Sequence, residues 1–201
     1  YADNTILKTL SSKQSINNIR FFSLDGKFTY YQKNSGNLLL STNYSVSKVL
    51  TSAPNTQYIV KSSPARKKIL IEQNVNHHTY FTARTANNIY TLDFGKDFPT
   101  LIGVGLASQL HLSDQWASFY SSQLKTIYIK NLDQQSINFD IKLQNKINPF
   151  FIPSLVMLSE QILIYSDINQ KGNIGIIKFE RQTNKFTPLI VSDSHEEKIE
   201  L

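Results

Sequence analysis

The 201-residue chain contains no cysteine, so disulfide bonds and thiolate metal sites are excluded. It also contains no apolar run that approaches the ~20 residues of a membrane-spanning helix. The lack of cysteine fits a cytoplasmic protein and also an extracytoplasmic protein that forms no disulfides. The first residue is Tyr1 rather than methionine, which fits a processed chain or a fragment, and removal of a secretory signal is one explanation. We therefore expect an extracytoplasmic (periplasmic or secreted) location, with a cytoplasmic location as the alternative.

Helical patterns are missing as well. No window of about 10 to 15 residues has the apolar stripe of an amphipathic helix. Residues 100–110 come closest, but Gly103 and Gly105 disfavour a helix there. The chain has instead ten tyrosines and twelve phenylalanines, and aromatic residues favour strands. The sequence therefore predicts an all-β fold.

Signatures of catalysis are also absent from the sequence. There is no Gly-x-Ser-x-Gly nucleophile elbow. The segment Gly103-Val104-Gly105 lacks the later glycine and the lysine of a phosphate-binding loop. The acidic residues are scattered, and Asp25 and Asp114 closely follow a serine in a position that caps a turn. We predict a protein without an active site of its own and without a cofactor.

The histidines do not form a metal-binding pattern. There are four of them, His77, His78, His111 and His195. The side chains of adjacent His77 and His78 in an extended segment point to opposite sides, whereas a zinc site requires three or four converging ligands. We predict no metal site.

The net charge of +6 fits either an ordinary basic surface or a protein with an anionic partner. The densest basic cluster is Arg66-Lys67-Lys68, which coincides with a predicted turn where a solvated lysine is expected. Nucleic-acid-binding surfaces have a broader stripe of lysine and arginine. We therefore do not expect a nucleic-acid partner, and a polyanion-binding module is kept as an alternative.

A pattern of strand, tight turn and strand in residues 112–133 recurs through the chain. Within it, residues 116–120 and 127–130 have the two-residue period of strands. Related segments follow four serines, Ser23, Ser63, Ser113 and Ser159, which are 40, 50 and 46 residues apart. A four-stranded propeller blade needs about 40 to 45 residues. The widest gap contains the long polar connection at residues 74–88.

Two of the turns resemble those of a known family. Ser-Leu-Asp-Gly-Lys at 23–27 and Ser-Pro-Ala-Arg-Lys at 63–67 are similar to the Ser-Pro-Asp-Gly-Lys turn of TolB-type, WD-like propeller repeats. Thr-Ile-Tyr-Ile-Lys-Asn-Leu-Asp at 126–133 resembles the third strand of those repeats. The third and fourth units lack the proline and the glycine of the turn. The resemblance covers residues 19–191 and implies a β-propeller, but it carries no catalytic residue with it.

The resemblance implies about four antiparallel blades of four strands each, at residues 19–57, 58–102, 103–147 and 148–191. Residues 1–18 are expected to be a leader or a strand that closes the ring, and residues 192–201 a tail. Four blades either close a small ring or form part of a larger propeller. Because a cut propeller exposes blade edges, we favour a longer parent chain or a complex.

Binding residues are expected in loops held by this rigid scaffold. The connection at 74–88 contains His77, His78, Tyr80 and Arg84, and aromatic residues and arginine supply much of the binding energy of interfaces. Trp116 begins the central strand of the third unit and is expected to lie in the core between blades, although its ring is also a candidate for stacking on a ligand. We predict a binding surface formed by the loop and the blade that contains Trp116.

The predicted function is therefore a non-enzymatic, TolB-like propeller scaffold that binds a protein or peptide partner. One alternative is the propeller portion of a larger hydrolase or peptidase, in which a Gly-x-Ser-x-Gly segment would follow in the parent reading frame. The other alternative is the polyanion-binding module, whose affinity would fall steeply with salt.

The circular dichroism spectrum of the purified chain tests the predicted fold class. We expect a spectrum dominated by β structure, because strand patterns fill the sequence and helical patterns do not. A spectrum dominated by helix would contradict the prediction.

Overall fold

A computed structural model describes the backbone and side chains of residues 59–61, 68–73, 87–93, 96, 98–134, 136–143, 151–168 and 173–190. For residues 16–21, 28–32, 37–42, 46–52, 57–58, 62, 74 and 191 it describes the backbone as strand. All strand pairings described are antiparallel, and these residues contain no helix. The all-β prediction is confirmed. No helix in the described part of the chain is long and apolar enough to cross a membrane.

The chain divides into two compact units, Tyr1–Gly103 and Val104–Leu201. In the first unit β1 to β4 form a sheet in chain order, and β5, β6 and β7 pair in chain order. The strands are β1 (Ile16–Phe21), β2 (Phe28–Gln32), β3 (Asn37–Thr42), β4 (Val46–Ser52), β5 (Gln57–Ser62), β6 (Lys68–Asn74) and β7 (Asn87–Asp93). The predicted turns at 23–27 and 63–67 lie outside the described residues, as do residues 1–15 and 192–201.

Strand β8 (Thr100–His111) begins in the first unit and ends in the second. In the second unit it pairs with β9, and the order β8-β9-β10-β11 is again the chain order. A separate sheet has the order β12-β13-β14-β15. These strands are β9 (Trp116–Ser121), β10 (Thr126–Asn131), β11 (Phe139–Lys142), β12 (Leu155–Met157), β13 (Ile162–Ile168), β14 (Ile174–Glu180) and β15 (Lys185–Val191). No sheet formed by these strands is closed on itself.

Each of the two sheets of the second unit contains a backbone hydrogen bond at the equivalent position. The Leu132 N–H donates to the Gln115 carbonyl at 2.8 Å in one sheet, and the Arg181 N–H donates to the Gln161 carbonyl at 2.8 Å in the other. Each bond joins the residue after the third strand to the residue before the second strand. The two sheets are therefore built alike at this end, as the repeat pattern predicts.

Ser159 anchors its turn through its side chain. Its Oγ accepts hydrogen bonds from the N–H groups of Gln161 and Ile162, at 3.2 and 3.1 Å. Serine hydroxyls commonly cap the backbone groups of turns in this way. At the equivalent turn, Leu112, Ser113 and Asp114 all have positive φ, so that turn is closed by a left-handed backbone instead.

The core of the second unit is formed by inward-facing side chains of both sheets. Ile127, Ile129 and Ile141 from one sheet join Leu163 and Phe179 from the other in a single buried cluster. Each such side chain contributes about 1.5–3 kcal/mol when it leaves water. In the first unit, residues 69–71 are all fully buried, so both faces of β6 are covered.

Gly105 allows β8 to approach β9 closely. A Cβ atom at Gly105 would lie 2.7 Å from the Tyr120 carbonyl oxygen and 2.8 Å from Cδ2 of Phe119, which is closer than packed atoms allow. We expect Gly105→Ala to lower the free energy of unfolding by about 1–3 kcal/mol, measured by urea denaturation.

Gly175→Ala is the matched control for this substitution. A Cβ atom at Gly175 would meet one close atom, the Ile190 carbonyl oxygen at 2.9 Å. That oxygen lies on β15, which pairs on one side only in its sheet and can shift at lower cost. Equal losses for the two variants would contradict the packing explanation.

Candidate functional site

Four of the five residues predicted to bind a partner, His77, His78, Tyr80 and Arg84, lie outside the described residues. Their role stays a prediction. Trp116 is described and its exposed fraction is 0%. Its ring packs edge-on against Phe139 with centroids 5.9 Å apart, and its Nε1–H donates to Glu160 Oε1 at 3.5 Å. The indole therefore offers no open face to a ligand, and the residues that cover it form the surface.

Four loops of the second unit lie at the same end of the strands as Trp116: residues 112–115, 132–134 with 136–138, 158–161 and 181–184. We call these loops, together with the exposed ring of Phe186 on β15, the Trp116 edge. Within each sheet the two loops are joined by the backbone bonds of Leu132 and Arg181 described above. Between the sheets they are joined by the contact of Trp116 with Glu160 and by the side chain of Arg181. Two adjacent sheets thus present a shared surface at one end of their strands.

Arg181 is the central side chain of the Trp116 edge. Its guanidinium carbon lies 4.6 Å from the ring centroid of Phe139 and 5.7 Å from that of Trp116. Such cation–π contacts contribute about 0.5–1 kcal/mol at exposed sites and more when water is excluded. Arg181 is half-buried, so the two rings fix its position while part of the group stays open to solvent.

A row of aromatic rings continues from this arginine towards the surface. Phe139 lies 6.3 Å from Phe179, and Phe179 lies 4.7 Å from Phe186. Phe179 and Phe186 are directly opposite each other on β14 and β15, which explains the close contact. The row begins at the fully buried Trp116 and ends at Phe186, whose exposed fraction is 47%. An apolar path therefore leads from the core to an exposed ring.

The acidic groups near Arg181 already have partners. Lys178 Nζ lies 2.7 Å from Glu180 Oε1, and Thr183 Oγ1 donates to Glu180 Oε2 at 3.4 Å. The hydrogen bond and the charge of Lys178 lower the pKa of Glu180, with a smaller effect from Lys185. Glu160 accepts from the indole of Trp116. In the described part of the chain, the contacts shown for the Arg181 side chain are those with the two rings.

His111 and Ser118 form the one pair in the second unit that resembles catalytic machinery among the described residues. His111 Nε2 lies 2.8 Å from Ser118 Oγ. Both residues are buried, with exposed fractions of 7% and 3%, so a substrate cannot reach the serine. Burial alone lowers the pKa of His111 to about 4, with no effect from a carboxylate such as the third member of a catalytic triad provides. We interpret the pair as a structural hydrogen bond.

Metal-ligating side chains do not converge in the described part of the chain, where no group of three or more His, Cys, Asp or Glu residues could hold an ion. At the Trp116 edge Arg181 can form hydrogen bonds and ion pairs, and Phe186 can form apolar contacts. These are properties of a binding surface.

Trp116 stood out in the sequence, whereas Arg181, Glu160 and the phenylalanines around them did not. Arg181 follows a strand directly, where a solvated turn residue is the ordinary expectation. Its contacts are with residues 42 and 65 positions earlier in the chain, and no local pattern reports such pairs. An alignment of the repeats would have offered one signal, because Arg181 occupies the position that the apolar Leu132 occupies in the other sheet.

The pH dependence of stability tests the environment of His111. Burial lowers its pKa from an ordinary value of 6.5 to about 4 in the folded chain, so the unfolded chain binds the proton more readily. Above pH 6.5 His111 is neutral in both states and does not lower the free energy of unfolding. As the pH falls towards 4, protonation of His111 in the unfolded chain lowers the free energy of unfolding by up to ~3 kcal/mol. Urea denaturation of the native chain and of His111→Gln should show this loss in the native chain alone. A histidine resonance of His111 that titrates near 6.5 in NMR spectra would contradict it.

No family model and no curated protein matches the chain. Among solved structures, it resembles prolyl endopeptidases studied for inter-domain dynamics (TM-score 0.56, 11% identity, covering 94% of this chain and 33% of that one). It also resembles a puromycin-hydrolyzing peptidase from Mycobacterium tuberculosis (TM-score 0.50, 7% identity, covering 88% of this chain and 28% of that one). TolB from Acinetobacter baumannii gives a TM-score of 0.49 at 14% identity, with 85% and 42% covered.

At these identities the likeness is one of fold. The chain spans between 28% and 42% of the length of these three proteins. The prolyl endopeptidase match, which covers 94% of the chain, supports a propeller-type all-β fold.

Proposed function

We propose that this chain is a non-enzymatic, TolB-like propeller scaffold that binds a protein or peptide partner through the loops at the ends of its blades. The observation that carries the proposal is the Trp116 edge, where a fixed arginine and a row of aromatic rings lead from the core to an exposed phenylalanine. Arginine and aromatic residues are the side chains that dominate the binding energy of protein interfaces.

The pre-arrangement of these groups supports binding. A flexible side chain that becomes fixed in a complex costs about 0.5–1.5 kcal/mol of entropy. Arg181 is already held against Phe139 and Trp116, and Phe186 is held against Phe179. The surface therefore loses less conformational entropy than a surface of free side chains when a partner binds.

The blade assignment is part of the proposal. Sheets β1–β4 and β12–β15 have four strands each in chain order, and strands β8–β11 pair in the same way. We propose that these are blades of one propeller, about four in number, either complete or continued in a longer parent chain. A periplasmic or secreted location stays a prediction, as do the peptidase and polyanion alternatives.

A pair of matched substitutions tests the proposed surface. Phe186→Ser removes an exposed ring at the Trp116 edge, whereas Leu124→Ser removes an exposed apolar side chain (63%) from the hairpin at the other end of β9 and β10. A partner is first captured with the native chain and purified. Calorimetry with that partner should then show that Phe186→Ser weakens its affinity about tenfold or more. Leu124→Ser should bind as the native chain does.

Two results would count against the proposal. Unchanged affinity of Phe186→Ser would remove the Trp116 edge from the interface. A partner whose affinity for the native chain falls steeply with salt, and equally for both variants, would favour the polyanion-binding module instead.

A further inference from the structure

We infer that Arg181 determines the specificity of the Trp116 edge and selects a peptide segment that carries a carboxylate side chain close to a large apolar side chain. The inference rests on the proposed function, because it names the chemistry of the partner that this surface binds. It is carried by the geometry of Arg181, by the state of the neighbouring charges and by the exposed end of the aromatic row.

The orientation of Arg181 is fixed at both ends of the residue. Its backbone N–H donates to the Gln161 carbonyl at 2.8 Å, and its guanidinium carbon lies 4.6 Å from the centroid of the Phe139 ring. The guanidinium is planar and carries five N–H donors in that plane, and the contacts shown for it among the described residues are those with the two rings. The donors on the open side of this half-buried group therefore remain available.

A carboxylate is the group that matches these donors. The planar fork of arginine binds a carboxylate through two parallel hydrogen bonds. Glu180 is held by Lys178 and Thr183, and Glu160 is directed towards the Trp116 indole. Arg181 is consequently a cation of this surface that a partner's carboxylate can engage without breaking an ion pair shown among the described residues.

The same acidic groups disfavour a dense polyanion. Glu160 and Glu180 are both exposed or partly exposed beside Arg181, and a run of phosphates would lie against them. Like charges placed together at an interface are strongly unfavourable. One carboxylate set on Arg181 avoids that repulsion, so the charge pattern favours an acidic side chain in a peptide.

The apolar part of the specificity comes from Phe186. Its ring is half exposed and is the outer end of the row that begins beside Arg181. Side chains on one face of an extended peptide recur about every 7 Å, and neighbouring rings of the row are 4.7–6.3 Å apart. An aromatic or large aliphatic side chain a few residues from the carboxylate can therefore reach Phe186 while the carboxylate binds Arg181.

Selection from a phage-displayed library of short random peptides on the full chain tests this inference. The selected peptides should be enriched in Asp or Glu near Phe, Tyr, Leu or Ile. Synthetic copies should bind the native chain about tenfold or more tightly than copies with Gln or Asn in place of the acid, measured by fluorescence anisotropy. The Arg181→Gln variant should bind both versions equally, and Arg181→Lys should retain part of the preference because it keeps the charge but loses the fork.

Lys142→Gln is the matched control. It makes the same change of charge at an exposed residue of β11, at the far end of that strand from Phe139, and the acid preference should persist in it. Trp116 is the only tryptophan and lies under Arg181, so an acidic peptide without tryptophan should also change its fluorescence. Native-like emission and melting of Arg181→Gln would show that the variant is folded.

The outcomes separate the inference from the proposed function. Peptides that bind the native chain without any preference for the acid, or with a preference that survives Arg181→Gln, overturn the inference and leave the binding function standing. Failure to recover any peptide above the unselected library contradicts the proposed function, and the inference fails with it.

Discussion

The packing of strands β8–β11 against sheet β12–β15 is the constraint on which the second unit depends. A sheet that is apolar on one face must bury that face against another element. Here Trp116, Ile129 and Ile141 from one sheet and Leu163, Tyr165 and Phe179 from the other share one buried cluster. The position of each sheet is thus set by its neighbour, and so is the position of every loop at the strand ends.

The Trp116 edge is a direct consequence of this packing. Trp116 and Phe139 belong to one sheet and Arg181 to the other, so the cation–π contacts exist only when the two sheets are packed. The same holds for the contact between Phe139 and Phe179. The surface that we propose for binding is therefore the outer end of the core, and substitutions in it are expected to affect stability as well as affinity. For this reason the exposed ring of Phe186 is a cleaner probe of binding than Trp116.

The sequence predicted strands well where they depend on local alternation. The strands after Ser113 and Ser159 lie where the two-residue period places them, as β9 and β13. The alternation of apolar and polar residues over 137–143 also predicts a strand. That strand begins two residues late, at Phe139, because the Ile137 N–H closes a turn onto the Gln134 carbonyl and Asn138 accepts a hydrogen bond from the Asn131 N–H. Such side-chain bonds compete with strand pairing, and the alternation pattern does not report them.

Non-local contacts account for what the sequence did not show. In the sequence Gly103 and Gly105 only disfavour a helix, whereas in the folded chain Gly105 permits the close approach of β8 to Tyr120. The stacking of Arg181 depends on residues in another sheet, and only the folded chain places them together. Trp116 stands out because its type is rare in this chain, whereas Arg181 is one of 21 basic residues and has no distinguishing neighbour in sequence.

The opposite end of the strands shows why the Trp116 edge is the better candidate for binding. Two buried polar groups of β13 there are already bonded: Asp167 accepts from the Ile168 N–H at 2.8 Å, and Ser166 Oγ accepts from the Ser154 N–H at 2.9 Å. Burial, followed by the charge of Asp167, raises the pKa of Tyr120 and Tyr165, so both phenols stay neutral. Groups held in this way stabilise the fold but cannot exchange their partners cheaply. Arg181 differs because the contacts shown for its guanidinium are with two aromatic rings, and for that reason we propose the binding role for its end of the sheets.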